Sequence, residues 1–432
     1  MSVISVADVE RAKGALLIGA RDIVTPLALD RAKELGIAIQ KAGEAASTPS
    51  PRRATRQSEP AANAAPAAGP PPQPARSIKM PIVPVPPPAD EARPVSGALY
   101  RRGAALPAHM LLKSSAAAQS VDGDRRPRVA VIGAGHVGAM TALRLAERSI
   151  FASVVLIDVV PGLAEGLALD MWHSAGLRRF TTRISGSTNI ADVAGADFIV
   201  VTAGRPRQPG MSRTDLTSVN TEIIGGVAEA IRAHAPAAIV VVVTNPLEEM
   251  THVMAKRTGF APGRVIGMAG VLDTARFCAL VGLTGIARPE DVRAVALGSH
   301  GPEMVIPLSQ ARVEGRPLEE LLPRDRLAAI VERARDSGAE VVKLLQRGSA
   351  YFSPAESAAA MVIAMASDTN EVMAACVQSG GAYGLADTRV GLPVRLGRGG
   401  VLEIVELALR PDEQAALRKA AASIAARIKD VG

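Results

Sequence analysis

Three glycines constrain this chain more than any other feature, and they lie in the run Val129-Ala-Val-Ile-Gly133-Ala-Gly135-His-Val-Gly138. The run begins with apolar residues typical of a buried strand and continues into a segment of helical period. A second apolar run ends at Asp158, 20 residues after Gly138. A glycine turn between strand and helix lets a pyrophosphate approach the backbone and the helix N-terminus. The spacing therefore predicts a βαβ unit that binds a dinucleotide.

Each part of this glycine turn has a predicted task. Gly133 permits the tight turn, Gly135 lets the pyrophosphate approach the backbone, and Gly138 lets helix and strand pack closely. Asp158 is placed to accept hydrogen bonds from the adenosine ribose, and its charge repels a 2′-phosphate, which favours NAD over NADP. The predicted cofactor contacts in the turn are Gly133, Ala134, Gly135, His136, Val137 and Gly138. A glycine turn of some other doubly wound protein is the alternative.

From Arg128 onward, apolar runs alternate with segments of helical period. Val/Ile runs of this kind are typical of a parallel sheet covered on both faces. The order becomes less regular after about residue 285, where the sequence predicts a strand-like run at 292–298 and helices at 319–346, 355–366 and 411–429. We expect an α/β fold, with a Rossmann doubly wound parallel sheet over residues 127–270 and an α+β substrate domain over residues 271–432.

The first 126 residues differ from the rest in composition. They carry 17 Lys and Arg against 11 Asp and Glu, whereas residues 127–432 carry 32 against 31. Between residues 49 and 94 lie 14 of the 31 prolines, which predicts an extended linker without a core of its own. We expect a small N-terminal docking segment at residues 1–46 and a Pro/Ala-rich linker at residues 47–126.

Composition also excludes several classes of protein. The near-neutral charge after residue 126 gives no reason to expect a nucleic-acid partner. No apolar run approaches the roughly 20 residues of a membrane span, and the N-terminus lacks the pattern of a secretory signal. The two cysteines, Cys278 and Cys376, form no CxxC motif, which excludes a disulfide scaffold and a cysteine-based zinc site. We therefore expect a cytoplasmic protein without a bound metal, a membrane or a nucleic-acid partner.

A cationic segment, Arg205-Pro-Arg207-Gln-Pro-Gly-Met-Ser-Arg213, follows one of the predicted strands. Ligands of parallel sheets bind at the carboxyl ends of the strands. Guanidinium groups bind carboxylates in a bidentate manner and keep their charge. The segment is predicted to be a loop that closes on an anionic substrate, and a solvated surface loop is the competing interpretation.

Two further motifs supply a candidate acid–base pair. Asp273 and Arg276 lie three residues apart on a predicted helix, so both can face one site. His300 stands between Ser299 and Gly301 after a strand-like run. A lone histidine is more often structural than catalytic. A carboxylate bonded to one imidazole nitrogen, however, would raise the pKa of His300 and let it exchange a hydroxyl proton while a cofactor takes the hydride.

The order of these motifs over some 300 residues resembles the lactate/malate dehydrogenase family, and within it the bacterial lactate dehydrogenase-like malate dehydrogenases. The matching segments after the glycine turn are Thr202-Ala-Gly204, Asp215-Leu with Asn220, Thr244-Asn245-Pro246, Val271-Leu-Asp273-Thr-Ala-Arg276, His300-Gly301, Gly348-Ser-Ala-Tyr351 and Leu392-Pro-Val-Arg-Leu-Gly397. The resemblance implies an NAD-dependent oxidation of (S)-malate to oxaloacetate.

The resemblance also implies a role for each matching residue. His300 would be the proton acceptor, Asp273 its orienting partner, and Arg276 the clamp on the carboxylate beside the reacting carbon. Arg213 would polarise the substrate carbonyl. Arg207 would pair with the second carboxylate of a dicarboxylate, the feature that separates malate from lactate dehydrogenases. The other implied contacts, to the substrate oxygen and the cofactor, are those of Asn220, Val243 and Asn245.

Two departures from the family pattern leave other functions open. Members of the family usually continue His-Gly-Asp-Ser/Thr-Met-Val-Pro, whereas this chain has Pro302 and Glu303 and one extra residue before Pro307. Pro302 removes a backbone N–H beside the predicted catalytic residue. Arg205 adds a charge where relatives are often apolar. The alternatives are a lactate or other 2-hydroxyacid dehydrogenase, and a catalytically weakened, dehydrogenase-like scaffold subunit.

By analogy with the family, a homo-oligomer, dimer or tetramer, is expected. The run Ile23-Val-Thr25-Pro26 to Gly36-Ile37 is similar to short terminal segments of enzymes associated with bacterial microcompartments. That similarity implies a microcompartment shell or core protein as a partner of residues 1–46. A docking segment on a long tether would act by raising effective concentration.

Overall fold

The structure is a computed structural model that describes residues 126–206, 212–346 and 348–431, with short pieces between residues 3 and 41. The predicted linker, apart from Arg126, and most of the predicted docking segment lie outside the described residues. The chain divides into two units, Met1–Leu99 and Tyr100–Gly432. No helix in the described ranges is long and apolar enough to cross a membrane.

The described pieces of the first unit form two parallel strand pairs. Strand β1 (Val3–Ile4) pairs with β3 (Ile23–Val24), and β2 (Leu16–Ile18) pairs with β4 (Ile39–Lys41). The side chains of Val9 and Ala32 are buried in a small apolar cluster beside β2 and β4.

The strands of the second unit follow in chain order: β5 (Arg128–Ile132), β6 (Ser153–Ile157), β7 (Arg183–Ser187), β8 (Phe198–Val201), β9 (Ile239–Val242), β10 (Val265–Gly267), β11 (Val292–Arg293), β12 (Leu297–Gly298), β13 (Met304–Val305), β14 (Arg312–Val313), β15 (Arg316–Pro317), β16 (Val372–Gln378), β17 (Arg389–Gly397) and β18 (Gly400–Ile404). Its α-helices are α1 (His136–Glu147), α2 (Leu163–His173), α3 (Ala175–Arg178), α4 (Arg213–His234), α5 (Leu247–Thr258), α6 (Gly270–Gly282), α7 (Leu318–Leu321), α8 (Arg324–Leu345), α9 (Phe352–Ala366) and α10 (Pro411–Lys429).

Six parallel strands form one part of the main sheet, in the order β10-β9-β8-β5-β6-β7. This is the Rossmann order, in which the first strand lies at the centre and the chain winds outward in both directions. Both faces are covered, which explains the unbroken apolar runs. Val129 and Val131 of β5 contribute to one core, while Ala130 and Ile132 contribute to the other. The predicted parallel sheet is confirmed.

An antiparallel section extends the same sheet beyond β10. Strand β16 pairs with β10 at Cys376 opposite Gly267, and β17, β12 and β13 follow outward. A separate small sheet, β11-β14-β15, packs with α6 and α8 around a third core. Helix α10 packs against β17, β12 and α5. Strand β12 is thus the third strand outward from β10, in the antiparallel section.

Two predicted elements had wrong bounds. The run 292–298 forms two short strands, β11 and β12, and not a single strand. The helix predicted from residue 319 is two helices, because Pro323 precedes α8 and α7 ends at Leu321. Proline fits the start of a helix but not its interior, so the break follows from its missing N–H and fixed φ.

The contact between β7 and α2 predicts opposite effects for two glycine substitutions. A Cβ on Gly186 would lie 2.2 Å from the backbone of Ala164, whereas a Cβ on Gly166, exposed on α2, would meet nothing within 4 Å. Gly186→Ala should lower the free energy of unfolding by about 3 kcal/mol, because the backbone cannot yield cheaply. Gly166→Ala should raise it by about 0.5–1 kcal/mol. Denaturant unfolding measures both, and equal effects would contradict the packing.

Candidate active site

The glycine turn between β5 and α1 has no room for side chains at two positions. Gly133 has φ +102°, and a Cβ there would lie 2.6 Å from the backbone nitrogen of Ala203. A Cβ on Gly138 would lie 1.8 Å from the carbonyl oxygen of Gly133. Gly135 is the N-cap of α1, and no side chain caps that helix end. The turn thus brings bare backbone and a helix N-terminus to one point.

Asp158 stands directly beside this turn. It follows β6, and its carboxylate accepts the backbone N–H of Ala134 at 2.6 Å and that of Val160 at 3.0 Å. The sequence motif and the acid 20 residues later therefore meet in space, at the carboxyl ends of β5 and β6. A carboxylate here disfavours a bound phosphate and suits a ribose with free hydroxyls.

Aromatic rings flank the start of α1. The rings of His136 and Tyr351 stack with their centroids 5.0 Å apart, and the centroids of the Tyr351 and Phe352 rings are 4.4 Å apart. Val137 follows His136, and its carbonyl accepts the Thr141 hydroxyl at 2.8 Å. The sequence placed Tyr351 in a family motif without a role, and the structure places its ring against the glycine turn.

Asn220 connects the segments that follow β8 and β9. Its Oδ1 accepts the backbone N–H of Arg205 at 2.8 Å, and its Nδ2 donates to the carbonyl of Asn245 at 2.7 Å. The Asn220 side chain is buried, Val243 is half-buried, and Asn245 is exposed. The predicted cofactor contacts of Asn220, Val243 and Asn245 stay predictions, but the structure gives Asn220 a second task as a tie between two loops.

The predicted arginine loop is described only at its ends. Arg205 is exposed, Arg207 lies outside the described residues, and Arg213 is the first residue of α4. Ser212 caps that helix in a capping box with Asp215, whose carboxylate accepts the Ser212 N–H at 3.1 Å. The local sequence therefore sets where the loop ends and α4 begins.

The predicted acid–base residues lie together. Nδ1 of His300 is 2.9 Å from Oδ2 of Asp273, and Nη1 of Arg276 donates to Oδ1 of the same carboxylate at 3.2 Å. The Asp273 side chain is 4% exposed and that of His300 is 22% exposed. Asp273 and Arg276 come from α6, and His300 comes from the loop after β12. Two segments that are separate in the sequence therefore contribute side chains to one site.

A second carboxylate, which the sequence reasoning missed, holds the backbone of the histidine. Oε1 of Glu248 accepts the N–H of His300 at 2.6 Å. Glu248 is buried on α5, close after the cis Asn245–Pro246 peptide. Its only sequence signal is an acid just inside a helix that starts at the Asn-Pro turn, which by itself suggests helix capping. Glu248 therefore connects the N-terminal end of α5, which follows Asn245, with the backbone of the loop that carries His300.

These carboxylates set the proton affinity of the site. Burial and the positive charge of Arg276 would lower the pKa of His300. The charge of Asp273, its hydrogen bond to the ring and the charge of Glu248 outweigh both effects, so the pKa of His300 is raised above its ordinary value. Burial raises the pKa of Glu248 despite the N–H of His300. An imidazole held at Nδ1 by a buried carboxylate is fit to gain and lose a proton at Nε2.

The departures after His300 leave this contact intact. The N–H of Met304 donates to the carbonyl of Gly301 at 3.0 Å and closes a turn over Pro302. Glu303 accepts a hydrogen bond from Arg427 of α10 at 2.9 Å. Although Pro302 removes a backbone N–H from this loop, the ring of His300 still contacts Asp273.

Models of one protein family match most of the chain from residue 127 onward. Residues 127–267 match the lactate/malate dehydrogenase NAD-binding domain, and residues 270–432 match the alpha/beta C-terminal domain of the same family. A malate dehydrogenase from Chloroherpeton thalassium is 47% identical over 68% of this chain and 95% of that protein.

Two solved structures are also similar. The malate dehydrogenase from Salinibacter ruber is 38% identical, with a TM-score of 0.67, over 70% of this chain and 97% of that one. The lactate dehydrogenase from Cryptosporidium parvum, complexed with lactic acid and nicotinamide adenine dinucleotide, is 33% identical, with a TM-score of 0.68, over 71% of this chain and 98% of that one. From the matched domains, these relatives and the site, the chain belongs to the lactate/malate dehydrogenase family.

Proposed function

We propose that the chain is an NAD-dependent malate dehydrogenase that interconverts (S)-malate and oxaloacetate. The observation that carries the proposal is the 2.9 Å contact between His300 and the buried carboxylate of Asp273, with Arg276 on the same carboxylate. The similar proteins named malate dehydrogenase support the substrate, and the NAD-binding domain match supports the cofactor.

The residues of the glycine turn fit NAD. Gly133 and Gly138 let the turn and the helix pack closely, and a Cβ on Gly135 would meet nothing within 4 Å, which leaves space beside the backbone for the pyrophosphate. Asp158 offers a carboxylate to the ribose hydroxyls. The remaining predicted contacts, made by Ala134, His136, Val137, Asn220, Val243 and Asn245, stay proposals. When bound, NAD supplies the acceptor of the hydride.

The chain's own residues handle the proton and the substrate charges. Nε2 of His300 takes the hydroxyl proton of malate, and the Asp273 carboxylate stabilises the imidazolium that forms. Arg276 binds the carboxylate next to the reacting carbon. Arg213 polarises the carbonyl oxygen, and Asn245 donates a hydrogen bond to it. The loop from Arg205 to Arg213 closes over the site and excludes water.

Arg207 sets the preference for a dicarboxylate in this proposal. Its guanidinium pairs with the far carboxylate, which pyruvate and lactate lack. A lactate or other 2-hydroxyacid dehydrogenase is the second candidate, favoured by the similarity to lactate dehydrogenase structures. A weakened scaffold subunit is the third, and it would bind NADH without turnover.

Exposed apolar side chains support a homo-oligomer. Leu169 and Trp172 are exposed on α2, three residues apart, and Leu177 of α3 is exposed as well. Val342 and Leu344 are exposed at the end of α8. Exposed apolar side chains that cluster on a surface often mark a protein–protein interface. We propose a dimer or tetramer, and a cytoplasmic location in agreement with the two buried free thiols. Recruitment to a microcompartment through residues 1–46 is a further proposal, supported by the similarity of the run from Ile23 to Ile37 to such segments and by the Pro/Ala-rich linker.

Oxaloacetate should oxidise NADH far faster than pyruvate does. Arg207→Gln should lower kcat/KM for oxaloacetate about 100-fold, because an arginine–carboxylate pair in a closed site is worth roughly 3 kcal/mol. Pyruvate turnover should change little. Arg205→Gln, which removes the same charge from the same loop, is the matched control and should cost much less. A preference for pyruvate, or equal losses for both substrates in Arg207→Gln, would contradict the role of Arg207 in recognising a dicarboxylate. NADH binding without any turnover would indicate a catalytically weakened scaffold subunit.

The pH dependence should follow the raised pKa of His300. Reduction of oxaloacetate needs the protonated imidazole, so its rate should be full below that pKa and decline as the pH rises through it. Malate oxidation needs the neutral imidazole, so its rate should rise over the same pH range. Asp273→Asn removes the charge that raises the pKa, so the decline should move to lower pH, with kcat lowered about 100-fold or more. Steady-state rates across pH 5 to 10 measure both limbs, and an unmoved limb would exclude Asp273 as the cause.

A chain that begins at Asp122 should keep the kcat, the KM and the number of subunits of the full chain, because the described site residues all lie beyond residue 126. Kinetics and sedimentation measure the three quantities. Loss of activity would place the N-terminal region within the catalytic fold, and a monomeric mass would contradict the proposed interface.

A further inference from the structure

Arg427, near the end of α10, contacts the loop of His300 on both sides of the histidine. Its Nη2 donates to Oγ of Ser299 at 3.2 Å, and its Nη1 donates to Oε2 of Glu303 at 2.9 Å. Ser299 immediately precedes His300, and Glu303 follows it by three residues. One guanidinium therefore spans the loop that carries the proposed catalytic residue.

The guanidinium is itself anchored to the body of the protein. Its Nε donates to Oε1 of Glu249 on α5 at 3.0 Å, and Ser423 on α10 donates to Oε1 of Glu303 at 2.6 Å. The side chain of Glu249 is 2% exposed and that of Arg427 is 20% exposed. Hydrogen bonds between a guanidinium and a carboxylate are stronger when both groups are largely shielded from water than when they form an exposed ion pair. The neighbouring residue Glu248 holds the His300 backbone, so α5 supports the loop twice.

The loop backbone needs such support. Gly298 and Gly301 on either side of the histidine have φ of +83° and +141°, and Pro302 has no N–H to donate. A Cβ on Gly298 would lie 3.1 Å from Cβ of Ala420, so the loop approaches α10 closely. Glycine-rich backbone is held in one conformation only by its surroundings.

We propose that Arg427 is a positioning residue for the reaction, which restrains the loop at Ser299 and Glu303 and so keeps the imidazole of His300 on Asp273. The proposal rests on the proposed function for its kinetic consequence, but not for the geometry. Pro302 and Glu303 stand where the family pattern implied by the resemblance has Asp and Ser/Thr, and in this chain Glu303 supplies one of the two contacts of Arg427 with the loop.

The pKa of His300, measured by ring-selective NMR on the full chain without substrate, tests the positioning apart from activity. The chain has six histidines, and the His300→Asn spectrum identifies the signal. The groups that face the ring are Asp273, Glu248 and Arg276. Removal of a positive charge in Arg427→Ala would by itself raise the pKa, whereas withdrawal of the ring from Asp273 lowers it. We expect a lower pKa, and an unchanged or higher value would overturn the proposal.

Kinetics supply the second readout. Arg427→Ala should lower kcat for oxaloacetate roughly 10- to 100-fold with little change in the KM of NADH, as expected for a misplaced catalytic group. Arg427→Lys, which retains one charged contact, should recover part of the loss. Arg418→Ala, an exposed arginine of the same helix, is the matched control. Wild-type kcat in Arg427→Ala, or no recovery in Arg427→Lys, would overturn the positioning role.

Should Arg427→Ala fail to fold, Glu303→Gln decides the matter, because the Glu303 side chain is 34% exposed and the substitution keeps its shape. That variant should lower kcat with an unchanged thermal midpoint, and a wild-type kcat would overturn the proposal. If the wild-type chain reduced no 2-oxo acid while the NMR result held, the proposed function would fail and the positioning would stand.

Discussion

Two buried carboxylates, Asp273 and Glu248, hold the ring and the backbone of a single histidine, and the site depends on this double hold. A carboxylate taken out of water is costly unless it is hydrogen-bonded, so each of these groups binds strongly to the partner it has. Because one partner is the His300 ring and the other its backbone N–H, the two contacts set both the position and the proton affinity of the imidazole. The rest of the catalytic domain can be understood as the scaffold that brings α5, α6 and the loop after β12 together.

The sheet provides that scaffold. Six parallel strands present the glycine turn and Asp158 at their carboxyl edge, and the antiparallel section begins where β16 pairs with β10. Helix α5 starts after β9 and α6 starts after β10, so adjacent strands deliver Glu248 and Asp273 to the same place. The cofactor part and the proton-transfer part of the site are thus neighbours by topology, without long connections.

The loop after His300 departs from the pattern that the resemblance implies and still holds the histidine on Asp273. Pro302 has no N–H to donate, and Glu303 adds a carboxylate. In the structure the carboxylate of Glu303 meets Arg427, whose guanidinium also reaches Ser299. The charge of Glu303 is thus compensated by a residue of the last helix, and the ring of His300 lies 2.9 Å from Asp273.

The sequence by itself determined the parallel Rossmann sheet and the glycine turn with Asp158, since periodicity and backbone sterics are local properties. It also singled out Asp273 and His300 as a candidate pair, and the structure brings these two side chains together. It could not determine the tasks of Glu248, Glu249 and Arg427, because an acid at a helix start and an arginine near a chain end are ordinary surface residues until packing buries them. It also placed a single helix across Pro323 and a single strand at 292–298, where local sterics ended each element sooner. Only the tertiary structure brought α10 against the histidine loop, because that contact joins residues more than 100 positions apart and is selected by burial of charge rather than by any spacing along the chain.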